Sequence, residues 1–362
     1  MNQHYVPKVY LRNFGHKNKK SVAVNAYNKN EKKNFSVSIN KICSEINLYT
    51  LPDNDQHYND PLIIENGYAH YFEPMYSRVY KILIDDSKRI ITDLERAEIL
   101  MAIFQLYFRN PKLLIDINNF HEPIIRKLFK ENLENKTESF TYLNQVFFVD
   151  KNLNEQLKTF KIETKNKFKK EHIYGFKELV LKNTLQSITI YKVIDNSKFV
   201  TCDNPLKNKN LNDNSQNPFD RLAQFFLPIN EKYCLFLHND KTKKHNIIYR
   251  EEVFNGKTHL VNGEMIKNAH RFVIGNQKAI EDTLVFENII ETEYENNIDK
   301  FMTLIEELYF AIKSQGASEQ HLNIFKKYIS LYKKNGTLTS QEKESFIMEA
   351  MIQQKKEAFS KL

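Results

Sequence analysis

The stretch that decides the fold is TDLERAEILMAIFQLYFRNP, residues 92–111. Thr92 and Glu95 have the spacing of a capping box, which predicts that a helix begins here, and the final proline predicts its end. Most residues between these ends are apolar, so we expect the helix to lie at the centre of the core. Gln105 and Arg109 interrupt the apolar run and share one face of the helix. Burying such a pair costs free energy unless it is bonded or used, which makes it a candidate for function.

The composition around this helix favours a mostly helical protein. The chain has 362 residues, of which 41% are apolar or aromatic, and it contains only 8 Gly and 9 Pro. So few chain breakers favour long helices over an all-β sandwich. Alternating apolar residues predict short strands near the N-terminus and again over 187–275. We therefore expect an α+β fold: a mostly helical body with a small N-terminal sheet, a second antiparallel β region and a helical C-terminal tail.

The same patterns place the other elements. Helical spacing predicts helices at 62–84, 112–133, 170–182, 258–270, 297–314, 318–334 and 341–358. Alternation predicts strands at 21–27, 35–39, 47–51, 187–194, 198–201, 233–237 and 246–249. An acidic stretch near 290–298 is the best boundary, so we expect a catalytic or binding domain over 1–290 and a helical extension over 291–362.

Charge and cysteine usage limit the class of protein. Lys and Arg outnumber Asp and Glu by 53 to 45, which gives a net charge of +8 and suits a polyanionic partner such as nucleic acid. A high Lys and Asn content is equally typical of an AT-rich genome. The 3 cysteines form no CxxC pair, which fits a reducing cytosol and argues against a thiolate zinc site. No signal-peptide pattern or membrane-length apolar stretch occurs, so we expect a cytoplasmic protein that does not enter a membrane.

Polar residues inside other apolar runs extend the candidate site. The opening stretch MNQHYVPKVYLRNFG, residues 1–15, is too apolar for a frayed terminus, so we expect it to be tied into the body. It would bring Gln3 and His4 to the helices. Glu65 and Glu73 share one face of the predicted helix, because their separation is close to two helical turns. The remaining candidates belong to the second β region: Asp203, Asn204 and Asn262.

These segments occur together in a known family. The motifs, in chain order, are NQHYVPKVYLRNFG, the pair Glu65 and Glu73, QLYFRNP, FVTCDNP, FFLPINEKYCLFL and NGEMIKNAHRFVIG. As a set they are specific, and over residues 2–275 the chain resembles the bacterial family called domain of unknown function 4238, often recognised by its HYVP start. The family usually has Ser where this chain has Cys202, which indicates that this position serves packing and is not a nucleophile. The resemblance implies no established reaction, so it groups the candidates without assigning their roles.

One hypothesis from this set is a metal-assisted nuclease. Glu65, Glu73 and Asp203 would hold a divalent ion, Mg²⁺ or Mn²⁺, since hard cations prefer carboxylate oxygens. His4, Glu73 and Asp203 would be catalytic, and the substrate would contact a second set of side chains: Gln3, Gln105, Arg109, Asn204 and Asn262. Such a set suits phosphodiester hydrolysis, in a toxin or anti-phage defence effector by association with bacterial accessory proteins of this kind.

The alternative hypothesis is binding without catalysis. The chain would then be a module for nucleic acid or for a protein partner, with the C-terminal helices as a contact or self-association surface. The candidates also have structural readings: Glu73 and Arg109 as a salt bridge between helices, Asp203 in an Asx-turn, and His4 as a bonded core histidine. The sequence contains no GxGxxG, Walker A, HExxH or GxSxG motif, which disfavours nucleotide-driven motors, zinc proteases and α/β-hydrolases.

Overall fold

A computed structural model describes most of the chain. The described residues are 1–18, 21–52, 59–210, 217–220, 222–240, 242–289, 305–306, 309, 313, 318–336, 338–339, 342, 345–346, 349–350 and 353. The chain forms two compact units, Met1–Thr283 and Leu284–Leu362. No helix among the described residues combines the length and the apolar character needed to cross a membrane.

Helix is the commonest secondary structure in the described chain before residue 290, and the predicted α+β class is confirmed. The helices are α1 (Lys8–Leu11), α2 (Ile63–Gly67), α3 (Glu73–Ile84), α4 (Asp93–Phe108), α5 (Pro111–Glu134), α6 (Leu153–Lys182), α7 (Asn255–Asn268) and α8 (Gln277–Ile289). A π-helical turn, Tyr68–Phe72, joins α2 to α3 within the single helix predicted over 62–84.

The strands are short and lie in small sheets. They are β1 (Asn2–His4), β2 (His16–Asn18), β3 (Ser21–Asn28), β4 (Lys33–Ser38), β5 (Ser44–Ile46), β6 (Ser139–Tyr142), β7 (Gln145–Phe148), β8 (Ser187–Val193), β9 (Thr201–Cys202), β10 (Lys207–Asn210), β11 (Ala223–Pro228), β12 (Tyr233–His238), β13 (Ile248–Val253) and β14 (Phe272–Ile274). One five-stranded sheet has the order β10-β11-β12-β8-β13, and β13 runs parallel to β8 while the other pairs are antiparallel.

The central helix forms as its sequence predicts. The Thr92 main-chain N–H donates to Glu95 Oε2 (2.8 Å), and the Glu95 main-chain N–H donates to Thr92 Oγ1 (3.1 Å), which completes the capping box. Asn110 caps the N-terminus of α5, because its side-chain oxygen accepts a hydrogen bond from the main-chain N–H of Lys112 at 2.9 Å. Most apolar side chains of α4 from Ile99 onward are buried, whereas Leu94 in the first turn is exposed. Phe104 packs edge-on against Phe225 of the five-stranded sheet. The helix therefore lies in the core, as expected.

The second sheet joins distant parts of the sequence. β14 pairs with the end of β3 on the edge opposite β4 and continues the sheet to β9, and β2 pairs with the start of β3 along that same edge. The strand predicted at 198–201 is therefore wrong in extent, because only Thr201 and Cys202 pair, and they pair with β14. The reason is a side-chain contact from a distant part of the chain: the main-chain N–H of Val200 donates to the side chain of Asn262 at 2.9 Å and is not available to a ladder.

Two further predictions differ from the structure. The strand predicted at 47–51 does not form, because the main-chain N–H of Tyr49 donates to the side chain of Gln3 at 2.6 Å. The pairing with β1 is made instead by β5. The helix predicted at 170–182 is only the end of α6, which begins at Leu153, and the β6–β7 hairpin before it was not predicted.

The second unit has its own small apolar cluster. Its described helix, Glu319–Asn335, agrees with the prediction for 318–334. Phe325 and Tyr328 of this helix pack against Phe346. The Thr339 main-chain N–H donates to a carboxylate oxygen of Glu342 at 2.7 Å, and the reciprocal bond confirms the predicted capping box. Most of the helices predicted at 297–314 and 341–358 lie outside the described residues.

Candidate functional site

Arg109 follows α4 directly, and its side chain is only 1% exposed. Its Nε donates to the main-chain oxygen of His4 at 2.7 Å, and its Nη2 lies 3.4 Å from Glu73 Oε1. The guanidinium carbon lies 4.4 Å from the centre of the Tyr68 ring, a cation–π contact. The Tyr49 hydroxyl donates to the Arg109 carbonyl oxygen. The N-terminal stretch, the π-helical turn, α3 and α4 therefore meet at one guanidinium.

Several polar atoms of this group are buried and have no hydrogen-bond partner within the described part of the chain. They are Arg109 Nη1, both side-chain atoms Nε2 and Oε1 of Gln105, and Glu65 Oε2. An unpaired buried polar atom costs about 1–3 kcal/mol, so native proteins contain few of them. In this group they occur on α2 and at the end of α4; others lie elsewhere in the described chain, among them Asn34 Oδ1, Gln186 Oε1 and Arg250 Nε. A ligand with both donor and acceptor groups, or water in its absence, would satisfy those around Arg109.

The electrostatics distinguish the two glutamates beside Arg109. Burial raises the pKa of the Glu65 carboxyl; the positive charge of Arg109 opposes that rise, and the negative charge of Glu73 adds to it. Glu65 therefore keeps its proton to a higher pH than a free carboxyl does. Glu73 has a side chain that is 22% exposed, and it forms the partly solvated edge of the group. A carboxyl with a raised pKa next to a fixed cation can serve as a general acid.

His4 takes part through its main chain. Its ring is buried, and Nε2 lies 3.1 Å from the carbonyl oxygen of Ile39, which assigns the proton to Nε2. Burial lowers the pKa of His4 against the effect of this hydrogen bond, and the charges of Lys8 and Arg109 lower it further. The imidazole is thus neutral and bonded at neutral pH. What His4 supplies to the site is the carbonyl oxygen that accepts from Arg109.

The carboxylate, the main-chain N–H and the carbonyl oxygen of Asp203 all have hydrogen-bond partners. Its carboxylate accepts from the main-chain N–H groups of His270 (2.8 Å) and Arg271 (2.7 Å), and its own N–H donates to the Phe272 oxygen at 2.9 Å. Its carbonyl oxygen accepts from Asn110 Nδ2 at 2.5 Å. Burial raises the pKa of this carboxyl, and the N–H donors oppose the rise. Asp203 thus joins the start of β14 to the start of α5, and its carboxylate oxygens are already in use.

Gln3 and Asn262 also have bonded side chains. Gln3 Oε1 accepts from the Tyr49 N–H, and its Nε2 donates to Thr50 Oγ1 at 3.1 Å. Asn262 Oδ1 accepts from the Val200 N–H, and its Nδ2 donates to the main-chain oxygen of residue 198 at 2.9 Å. Each of these two side chains bonds to a connecting segment and replaces the hydrogen bonds that a strand ladder or a helix would provide. The structure therefore gives both of them a structural role.

The side chain of Asn204 also contacts the main chain. Asn204 Nδ2 is 3.5 Å from the carbonyl oxygen of Asn268, and Asn268 Nδ2 donates to the Asn204 oxygen at 2.5 Å. The neighbouring Cys202 is fully buried, with its Sγ 3.0 Å from the same Asn204 oxygen. Burial raises the pKa of the Cys202 thiol, so it stays protonated. The position serves packing, as predicted from the sequence.

The predicted metal set is not grouped. Within the described residues, no three His, Cys, Asp or Glu side chains are arranged so that they could hold a metal ion. Glu65 and Glu73 lie beside Arg109, whereas Asp203 is engaged by the N–H groups described above. The metal ion remains a prediction. Of its three predicted carboxylate ligands, only those of Glu65 and Glu73 lie beside Arg109.

Tyr49, Tyr68 and Asn110 belong to the site, and the sequence analysis does not predict them. Tyr68 is buried; its hydroxyl lies 2.6 Å from His172 Nε2, and His172 Nδ1 lies 3.1 Å from the carbonyl oxygen of Phe168. These partners come from α6, so no local pattern could have indicated them. Asn110 could have been found, because an Asn between a helix end and a Pro is typical of an N-cap.

Residues 2–279 match the family described as protein of unknown function (DUF4238). The chain belongs to this family. The matching region contains every candidate residue, and the whole of the second unit lies beyond it. Comparison with curated proteins and with solved structures finds no match. Since the family description names no reaction, the function has to be argued from the site.

Proposed function

We propose that this chain hydrolyses a phosphodiester at the Arg109 site, with nucleic acid as the substrate predicted from the sequence. The observation that carries the proposal is the set of buried polar atoms without partners around the fixed guanidinium. Arg109 Nη1 and Gln105 Nε2 are donors, and a phosphate group offers several acceptor oxygens. The net charge of +8 favours the approach of a polyanion.

Arg109 is held so that one buried nitrogen, Nη1, has no hydrogen-bond partner among the described residues. Nε is bound by the His4 oxygen, Nη2 faces Glu73, and the Tyr68 ring covers one side of the plane. A guanidinium fixed in this way loses little freedom when it binds a phosphoryl oxygen. In this proposal Glu73 is a positioning residue for Arg109, which differs from the ion ligand and catalytic group expected from the sequence.

Glu65 would supply the proton. Water adds to phosphorus, the ester P–O bond breaks, and Glu65 protonates the leaving oxygen. The proton that the water loses then returns to the Glu65 carboxylate. Arg109 stabilises the charge that develops on the phosphoryl oxygens. The raised pKa of Glu65 supports this assignment, because a general acid must be protonated at the working pH.

The predicted Mg²⁺ or Mn²⁺ would act differently at the same place. The carboxylates of Glu65 and Glu73 would both have to be ionised to hold the ion, which would supply Lewis-acid activation. The two schemes therefore predict different effects of EDTA and of pH on activity. Acid catalysis by Glu65 survives EDTA and declines as pH rises, whereas metal catalysis is lost in EDTA and gains as the carboxylates ionise. In the cell, either scheme fits the toxin or anti-phage role expected from the sequence.

The test uses the purified full chain with bis(p-nitrophenyl) phosphate and with labelled single-stranded DNA and RNA, in EDTA, Mg²⁺ or Mn²⁺. We expect cleavage by the wild type, and a loss of about 100-fold in kcat for Glu65→Gln and for Arg109→Lys. Glu163→Gln, at an exposed glutamate of α6, is the matched control and should cleave like the wild type. Circular dichroism checks that each variant is folded.

A folded wild type that cleaves neither substrate in any of these buffers would overturn the proposal. Retained binding of the same oligonucleotides in a mobility-shift experiment would then establish the binding-only module. A control variant as inactive as Glu65→Gln would equally remove the assignment of the acid.

A further inference from the structure

A groove lies between α5 and α6, outside the candidate site described above. It has a volume of about 520 Å³, and its lining residues come from both helices. The helices are held together by an apolar cluster that includes Ile125, Leu157 and Phe160. Arg126 Nη2 also donates to Asn154 Oδ1 at 3.1 Å. The groove is therefore fixed by the packing of the two helices.

The charges that line this groove are mostly positive. The lining carries four cationic side chains: Arg126, Lys158, Lys161 and Lys165. Glu122 binds two of them, because its Oε1 accepts from Arg126 at 2.7 Å and its Oε2 from Lys161 at 2.6 Å. Lys158 and Lys165 have no carboxylate partner in the part of the chain that the structure describes. The groove therefore keeps an excess of positive charge.

The lysines form a stripe along one face of α6. Lys158, Lys161, Lys165 and Lys169 are three or four residues apart, so the stripe extends about 16 Å along the helix at a rise of 1.5 Å per residue. Like charges at this spacing destabilise a helix by about 0.2–0.5 kcal/mol per pair. Burial lowers the pKa of Lys169, and the charge of Lys165 lowers it further. A bound polyanion would offset this repulsion.

The rest of the groove lining is neutral. Asn118 Oδ1 is buried and has no hydrogen-bond partner among the described residues, so it is available to accept from an N–H group. Leu114, Leu157 and Ile162 supply apolar surface, and Ile162 is 53% exposed. A ligand that fits the groove must therefore combine negative charges with hydrogen-bond donors and apolar faces.

We propose that this groove binds single-stranded nucleic acid. Its phosphates would lie at Lys158 and Lys165, and its bases, which carry N–H donors and apolar faces, would lie at Asn118 and Ile162. The axes of two packed helices are only about 8–10 Å apart, so a single strand can enter the groove while a duplex stays at its rim. A run of acidic residues in a peptide offers the charge without the apolar faces. The proposal rests on the substrate class of the function proposed above and concerns binding alone.

Fluorescence anisotropy of the full chain with labelled oligothymidine, over a series of NaCl concentrations, tests the proposal. Lys158→Gln combined with Lys165→Gln should weaken binding about 10-fold or more at low salt. The slope of log K against log salt should fall by about 1.4, since each phosphate contact of a single strand contributes about 0.7. Lys127→Gln combined with Lys130→Gln removes the same charge from exposed positions of α5 and is the matched control. Its slope should equal that of the wild type.

A second pair of variants tests the neutral lining. Ile162→Glu places a negative charge in the groove, and it does not disturb the core because Ile162 is already exposed. Binding of oligothymidine should fall about 10-fold or more. Ile173→Glu, at an isoleucine of α6 that is similarly exposed and does not line the groove, is the control and should bind like the wild type. Circular dichroism checks that all variants are folded.

Equal weakening by the two lysine pairs would overturn the groove, because the overall charge would then explain the binding. A duplex of the same length that binds as tightly as the single strand would also overturn it. Polyglutamate that competes as well as oligothymidine at equal charge would assign the groove to an acidic peptide instead.

The same measurements separate this proposal from the hydrolase. Cleavage of oligonucleotides, together with binding that does not depend on Lys158 and Lys165, would overturn the groove and leave the hydrolase standing. Binding that depends on both lysines, in a protein that cleaves nothing, would support the groove and remove the hydrolase.

Discussion

The two ends of α4 each bury an arginine, and the two arginines are treated differently by the fold. Arg96, near the N-terminal end, is 4% exposed and donates to the main-chain oxygens of Thr184, His245 and Gln186. Arg109, just beyond the other end, keeps Nη1 without a partner among the described residues. Both are buried cations in one core. The difference teaches that burial alone does not mark a functional residue. What distinguishes Arg109 is that its unpaired nitrogen belongs to the same group as the unpaired atoms of Gln105 and Glu65.

Two buried glutamines differ in the same way as the two arginines. Gln3 and Gln105 are both buried, but Gln3 uses both ends of its amide, and Gln105 uses neither within the described residues. A satisfied polar group contributes to stability, and an unsatisfied one costs free energy that the rest of the fold must offset. Natural proteins violate such local rules mainly at sites of function. The end of α4 near Arg109 is therefore where a ligand is expected.

The largest effect expected from this comparison is on stability at Arg96. Arg96→Met should lower the free energy of unfolding by about 3–5 kcal/mol, because several charge-assisted hydrogen bonds are lost and buried carbonyl groups lose their donor. Urea unfolding measures the change. Hydrolysis by the folded fraction should match the wild type. A stable Arg96→Met protein without activity would contradict the division between a structural and a functional end of α4.

A matched pair of glutamine substitutions should give opposite results. Gln3→Met should cost about 2 kcal/mol, because the buried Tyr49 N–H loses its acceptor. Gln105→Met keeps the shape and removes two unpaired atoms, so stability should be unchanged or higher by about 1 kcal/mol. Chemical denaturation gives both values, and kcat on the phosphodiester should fall only for Gln105→Met. Equal destabilisation by the two substitutions would show that Gln105 is structurally bonded.

The smallest effect concerns pH and Glu65. Because the folded pKa of Glu65 is raised above its ordinary value of 4.5, the folded chain binds more protons than the unfolded chain just above that pH. Stability contributed by this group therefore falls as pH rises through the window between the two pKa values. Glu65→Gln should remove that fall, which we expect to be below about 1 kcal/mol at this half-buried position.

Unfolding free energies of wild type and Glu65→Gln between about pH 4 and pH 7 check this prediction. Asp203 has a pKa shift of the same sign, but it is present in both proteins and cancels in the difference. Glu163→Gln should show the wild-type pH dependence. A difference that grows with the opposite sign would mean that Arg109 holds Glu65 ionised, and the general acid would have to be sought elsewhere.

Much of the local structure could be predicted from the sequence. The capping boxes at Thr92 and Thr339, the apolar run of α4 and the tying-in of the N-terminal stretch all formed as expected. The caps and the apolar run depend on residues close together in the chain, whereas the N-terminal stretch could be predicted only as buried, because its partners, β5 and Arg109, are distant. The Gln105–Arg109 pair is local as well, because one helical turn brings the two residues to one face.

The sequence by itself determined the α+β class, the central helix, the family and the list of polar residues that the fold must bury. Tertiary structure alone decided which strands pair, as when β13 joins β8 in parallel and β9 completes the N-terminal sheet. It also decided that Asp203 is fully bonded while Gln105 is left open. The physical reason is that periodicity is a local property, whereas hydrogen-bond satisfaction depends on partners supplied by distant segments.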